Sequence, residues 1–176
     1  MDTGLQDLQR EAERVTPAEL LALLEAFSRE KAQLRRRHEA VARVVGQYDL
    51  NNTYQYVIGR EEQHESWLRD AILGGGGQEP PPVPAGTVEA PKDEAGQRRL
   101  AAEDAGELEA FVARWKERLA AVKNARHRLM LDLVLGETLE QARFFRQAAG
   151  GQLDILGRRT GGARTPGVVL PTRWVE

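Results

Sequence analysis

Two residues in the first half of the chain have the types and the spacing to do chemistry together. They are Glu61 and His64, in the run Gly59-Arg60-Glu61-Glu62-Gln63-His64-Glu65-Ser66-Trp67-Leu68. Three apart on a helix, a carboxylate and an imidazole project from the same side. Both fall on the apolar stripe Tyr54, Ile58, Glu61, His64/Glu65, Leu68, Ile72. An ionised carboxylate on a core face costs several kcal/mol unless a partner or a metal compensates it. Glu30 repeats the pattern between Phe27 and Leu34, and Glu107 repeats it between Leu100 and Phe111. Three carboxylates and one imidazole aimed at a common axis make a hard-to-borderline metal site. Glu25 is a rival ligand near Glu30, and Lys31 beside the same stripe could neutralise a carboxylate cluster with no metal at all.

The elements that must position these residues are helices. Thr16-Pro17 is a helix start, hydroxyl at the cap and proline in the first turn. From there Leu20, Leu23, Phe27, Leu34, Val41, Val45 and Tyr48 recur at three- and four-residue steps, which predicts a first helix over about 17–47. Asp49 to Thr53 reads as a turn, and a second helix is expected over 53–73. The stretch 74–96 opens with four glycines and holds five prolines, so it is a crossover and not a helix or central strand. Leu100, Phe111, Trp115, Leu119 and Val122 predict a third helix over 97–123. Leu131, Val134, Phe145 and Ala148 predict a fourth over 126–149, stopped by Gly150-Gly151. Residues 151–176 are expected to be an extended tail, docked by Leu170 and Trp174.

The halves also resemble each other. Val57-Ile58-Gly59 matches Val134-Leu135-Gly136 at a displacement of 77, and Glu30/Glu107, Leu34/Phe111 and Arg37/Arg114 keep it. Two helical hairpins joined by a long crossover are thus expected to form an all-α, antiparallel four-helix bundle over residues 1–150. On the fourth helix the repeat alignment puts Thr138 and Gln141 opposite Glu61 and His64. A one-residue shift offers Glu137 and Glu140 instead.

Glu on helix 1, Glu-x-x-His on helix 2, a long crossover and Glu on helix 3 resemble the ferritin-like superfamily of di-iron carboxylate proteins. The phrase Glu61 to Leu68 looks like its second helix, and the likeness extends over residues 17–150. The resemblance implies that Glu30, Glu61, His64 and Glu107 are metal ligands, one carboxylate bridging two irons. On helix 4 the one-residue shift of the repeat offers Glu140 as a further ligand, and Gln141 is similar to the helix-4 glutamine that ferritins place near the second metal. Iron, as a di-iron pair or a single metal, would be the cofactor, and oxidation of Fe(II) by oxygen or peroxide the activity. The chain departs from the pattern in having no histidine after His127. The alternative is a ferritin-like bundle without catalysis, a structural or protein-interaction module.

Composition narrows the rest. With no cysteine among 176 residues, disulfides, iron–sulfur clusters and thiol nucleophiles are excluded, and three histidines (His38, His64, His127) exclude a His-rich site. His38, among Leu34 and Val41, is expected to be a satisfied core or boundary histidine. The net charge of −2 supplies no field toward nucleic acid or membrane. Gly74–Gly77 lacks the following Lys-Ser/Thr of a phosphate loop. With no apolar run of membrane-spanning or signal length, a cytoplasmic protein is expected. The Leu- and Val-rich helices lead us to expect a homodimer, with helices 1 and 2 or the tail at its interface.

Overall fold

The structure is a computed structural model that describes residues 16–152 and 154–157. Among the described residues the regular structure is four α-helices and no strand: α1 Pro17–Val44, α2 Tyr48–Gly74, α3 Glu94–Leu119 and α4 Ala125–Ala149. The expected tail contacts of Leu170 and Trp174 lie outside the described residues.

Each helix starts at a side chain that satisfies its free N–H groups. Thr16 and Glu19 form a reciprocal capping box, with Pro17 at the first position of α1. Asp93 accepts from the Gly96 N–H at 2.7 Å to open α3, and Asn124 accepts from the His127 N–H at 3.1 Å to open α4. The second start differs from the sequence expectation. The turn is only Val45-Gly46-Gln47, and α2 begins five residues early, at Tyr48. Gln47 caps it by accepting from the Leu50 N–H. Asn51 then lies inside the helix and donates its side-chain amide to the carbonyls of Ala42, at 2.6 Å, and Val45, at 3.3 Å. The polar run that resembles a turn therefore caps the end of α1 from within α2.

Glycines end the second helix. Gly76 has φ +85°, and a Cβ on Gly77 would sit 2.7 Å from side-chain atoms of both Ile72 and Leu21. The crossover then runs along α1 from its beginning toward its end. Gly77 lies against Leu21, the Arg36 guanidinium donates to the Val83 carbonyl at 3.1 Å, and Gly86 lies close against the Arg36 carbonyl.

The closest helix pairs are α3 with α4 and α1 with α2; α2 also packs on α4, and α1 on α3. The core divides into two apolar clusters. One gathers Val41, Leu50, Tyr54, Val57, Leu108 and Phe145 near the α1–α2 turn. The other gathers Leu24, Phe27, Leu68, Phe111, Trp115 and Leu131 toward the opposite end. Within the second, the Phe27 ring stands edge-on to Phe111 at 5.2 Å and to Trp115 at 4.8 Å.

The 77-residue displacement recurs in burial. Tyr54/Leu131, Val57/Val134, Glu61/Thr138, His64/Gln141 and Leu68/Phe145 are buried pairs on α2 and α4, and Leu24/Ala101, Lys31/Leu108 and His38/Trp115 are buried pairs on α1 and α3. Arg60 and Glu137, themselves 77 apart, hydrogen-bond to each other where α2 meets α4.

Candidate functional site: a buried ionic layer

Charged and polar side chains sit inside the bundle together with its two apolar clusters. Glu61 is fully buried on the inward face of α2, and both its oxygens are taken by α1. The Lys31 ammonium donates to Oε1 at 2.8 Å, with neither side chain exposed at all. His38 meets Oε2 through Nδ1 at 2.8 Å. A carboxylate can only accept, so Nδ1 carries the proton in that bond. Burial by itself drives the Glu61 carboxyl upward; the charges and hydrogen bonds of His38 and Lys31 more than reverse this and hold it at about 2.

One turn further along α2, His64 is buried and bonds Glu137 of α4, Nε2 to Oε2, at 2.8 Å. Arg60 grips the same carboxylate from outside at 2.6 and 3.0 Å. Burial lowers the His64 pKa, the Lys31 charge lowers it further, and the Glu137 contact opposes both. His64 is therefore neutral at pH 7 and donates to Glu137. Thr138 turns its hydroxyl back onto the Val134 carbonyl at 2.7 Å. Gln141 is buried with neither amide atom hydrogen-bonded among the described residues, and His38 Nε2 and His64 Nδ1 share that condition.

A second network closes the α1–α3 side. Asp104 is buried on α3; its carboxylate accepts from Arg37 Nε at 2.6 Å and from the Tyr54 hydroxyl. Burial, and then the Asp104 charge, push the Tyr54 hydroxyl upward, so Tyr54 acts as a donor.

Of the six residues expected as ligands, Glu61, His64 and Gln141 point inward and Glu30, Glu107 and Glu140 do not. Glu30 lies at the α1–α3 surface, where it accepts from the Trp115 indole at 2.9 Å and from Arg114 at 3.2 Å. Glu107 is exposed, and Glu140 is exposed and paired with Arg143 of its own helix. The reason is angular, because each residue of a helix turns about 100°. Between Phe27 and Leu34 the inward step falls on Lys31; on α3 it falls on Asp104 and Leu108. Glu30 and Glu107 each sit one residue off that line. The rival Glu25 is exposed as well.

Sequence reasoning placed His38 in the core without its partner, and it missed Asp104 altogether. The signal for Asp104 was present, since it continues the stripe Leu100, Asp104, Leu108, Phe111.

These residues do not fit a di-iron carboxylate centre. A divalent metal needs several anionic or neutral donors around one point, and no three His, Asp or Glu side chains gather that way among the described residues. Glu61, the one fully buried glutamate among the described residues, already holds an ammonium at contact distance. Both Glu61 oxygens are held by Lys31 and His38, and His64 Nε2 is held by Glu137. No protein-family model, curated protein or solved structure matches this chain.

Proposed function

We propose that the chain is a ferritin-like bundle of antiparallel helices whose inner ionic layer is structural, and that it works as a homodimeric structural or protein-interaction module. The observation that carries this reading is the Lys31–Glu61 pair, in which a side chain of the protein supplies the cation that compensates the buried carboxylate. A buried ion pair of this kind serves to select one pairing of helices: in any other register the same charges are left without partners.

The antiparallel arrangement is supported by the order of contacts. Down α1, Ala42, Lys31 and Leu21 meet Asn51, Glu61 and Gly77 of rising number. Arg37 and Glu30 meet Asp104 and Trp115, and Tyr54 and Arg60 meet Phe145 and Glu137. Glu109 and Leu119 meet Arg146 and Arg128.

The test is metal content. Protein expressed in medium supplemented with iron, manganese and zinc, then purified without chelators, is expected to carry well under one equivalent of any of them. Addition of Fe(II) and oxygen is expected to produce no protein-dependent oxidation. Stoichiometric metal that disappears in Glu61→Ala would reject the reading.

A further inference from the structure

The outward face of α4 carries leucines where a solvated helix carries charge. Leu129 is 72% exposed and Leu133, one turn on, 50%. Beside them a groove of about 410 Å³ runs between the second half of α2 and the first half of α4. Trp67, Ala71, Met130 and Leu133 line it, and Asp70 and Arg126 stand on it with opposite charges. Elsewhere around α4 the charges pair off: Arg60 with Glu137, Arg128 with Asp132, Arg143 with Glu140. Asp70 and Arg126 stand apart from these pairings, each without an ion partner among the described residues, so the groove presents one free anion and one free cation beside an apolar floor.

That combination is self-complementary. We propose that this groove is the contact between two copies of the chain, related by a twofold axis near the start of α4. Leu129 of each copy seats in the groove of the other, and Arg126 of each meets Asp70 of its partner. A twofold contact uses the same patch twice, so a patch holding both a projecting leucine and a receiving groove, and both signs of charge, satisfies itself. An unrelated partner would have to reproduce all four features. The inference rests on the interaction-module reading and names its partner and surface; it moves the dimer contact from helices 1 and 2 or the tail to the α2–α4 face.

The experiment is sedimentation equilibrium with light scattering on the full chain at several concentrations. Wild type is expected to be a dimer, and Leu129→Asp to raise the dimer dissociation constant about a hundredfold or more. Arg126→Glu and Asp70→Arg are each expected to weaken it at least tenfold, and the double exchange to recover most of the loss. All three positions are exposed, and circular dichroism of each variant checks that the bundle is intact. A wild-type monomer at high micromolar concentration, or a dimer indifferent to all the substitutions, would overturn the proposal. Metal content separates the two failures, because a metal-free monomer refutes the homodimer and its face while leaving the structural ionic layer standing, and stoichiometric metal lost in Glu61→Ala refutes the layer whatever the oligomeric state.

Discussion

Removing the Lys31 ammonium while leaving its shape is the sharpest test of the ionic layer. Lys31→Met keeps the length and most of the volume of a fully buried side chain and deletes its charge. Breaking a buried pair by removing one partner costs about 3–5 kcal/mol, because the remaining charge has no compensation. His38 still holds one Glu61 oxygen at 2.8 Å, which places the loss toward the lower end, about 3 kcal/mol. For a domain of this size that is roughly 10 °C in Tm. The second half of the cycle is Lys31→Met with Glu61→Leu. Replacing both charges by apolar groups is neutral or stabilising by about 1–4 kcal/mol in comparable cases, against which stands about 1–3 kcal/mol for the stranded His38 Nδ1. The double variant is therefore expected within about 2 kcal/mol of wild type and above Lys31→Met alone. Guanidinium denaturation followed by Trp67 and Trp115 fluorescence and by ellipticity measures both. A loss under about 1 kcal/mol for Lys31→Met, or a double variant whose loss is the sum of the two singles, would refute the idea that the pair acts as a unit.

Two further outcomes follow from the same geometry. The folded-state pKa of Glu61 is depressed from 4.5 to about 2, so its contribution is present above pH 4.5 and is lost as pH falls toward 2; about 3 kcal/mol should disappear over that window, and Glu61→Gln should flatten the profile of unfolding free energy against pH. Glu30→Ala should cost about 1–2 kcal/mol by stranding the indole N–H of buried Trp115, whereas Glu107→Ala should stay within about 0.5 kcal/mol; thermal melts that reverse this order would show that Glu107 faces inward.

How much of this was legible depended on which physical rule governed each residue. Helix existence was legible because three- and four-residue apolar steps run for most of each helix, and the proline-rich crossover has one reading. The start of α2 was not. Asp49-Leu50-Asn51-Asn52 has turn composition, and only the geometry reveals that Asn51 serves the end of the preceding helix. For the site, Glu61 and His64 were legible because the apolar residues around them bracket a single inward line. On α1 the gap from Phe27 to Leu34 admits either Glu30 or Lys31. Chemical preference for a carboxylate selected the first, and the packing angle selects the second. Lys31 also illustrates why composition rules mislead at such places. Lysine is almost never fully buried unless paired, and its partner lies thirty residues away on another helix.

The two halves share a pattern of burial but not of charge, and that asymmetry bears on function. Lys31, His38, Glu61 and His64 in the first half stand where Leu108, Trp115, Thr138 and Gln141 stand in the second. A di-iron bundle built from two hairpins repeats its donors, with a carboxylate from each of two helices and Glu-x-x-His from each of the others. Here the second half answers with an apolar residue, an aromatic, a hydroxyl bound to its own helix and an amide. In the first half Glu61, the one glutamate fully buried among the described residues, is balanced from α1 by an ammonium and an imidazole. A divalent ion entering there would have to displace a lysine already at contact distance, and the displaced ammonium would remain buried beside it. Like charges held that close in a low dielectric repel strongly. Lys31 thus accounts both for the stability of a buried Glu61 and for the poor fit to metal, and it is the residue through which the structural reading succeeds or fails.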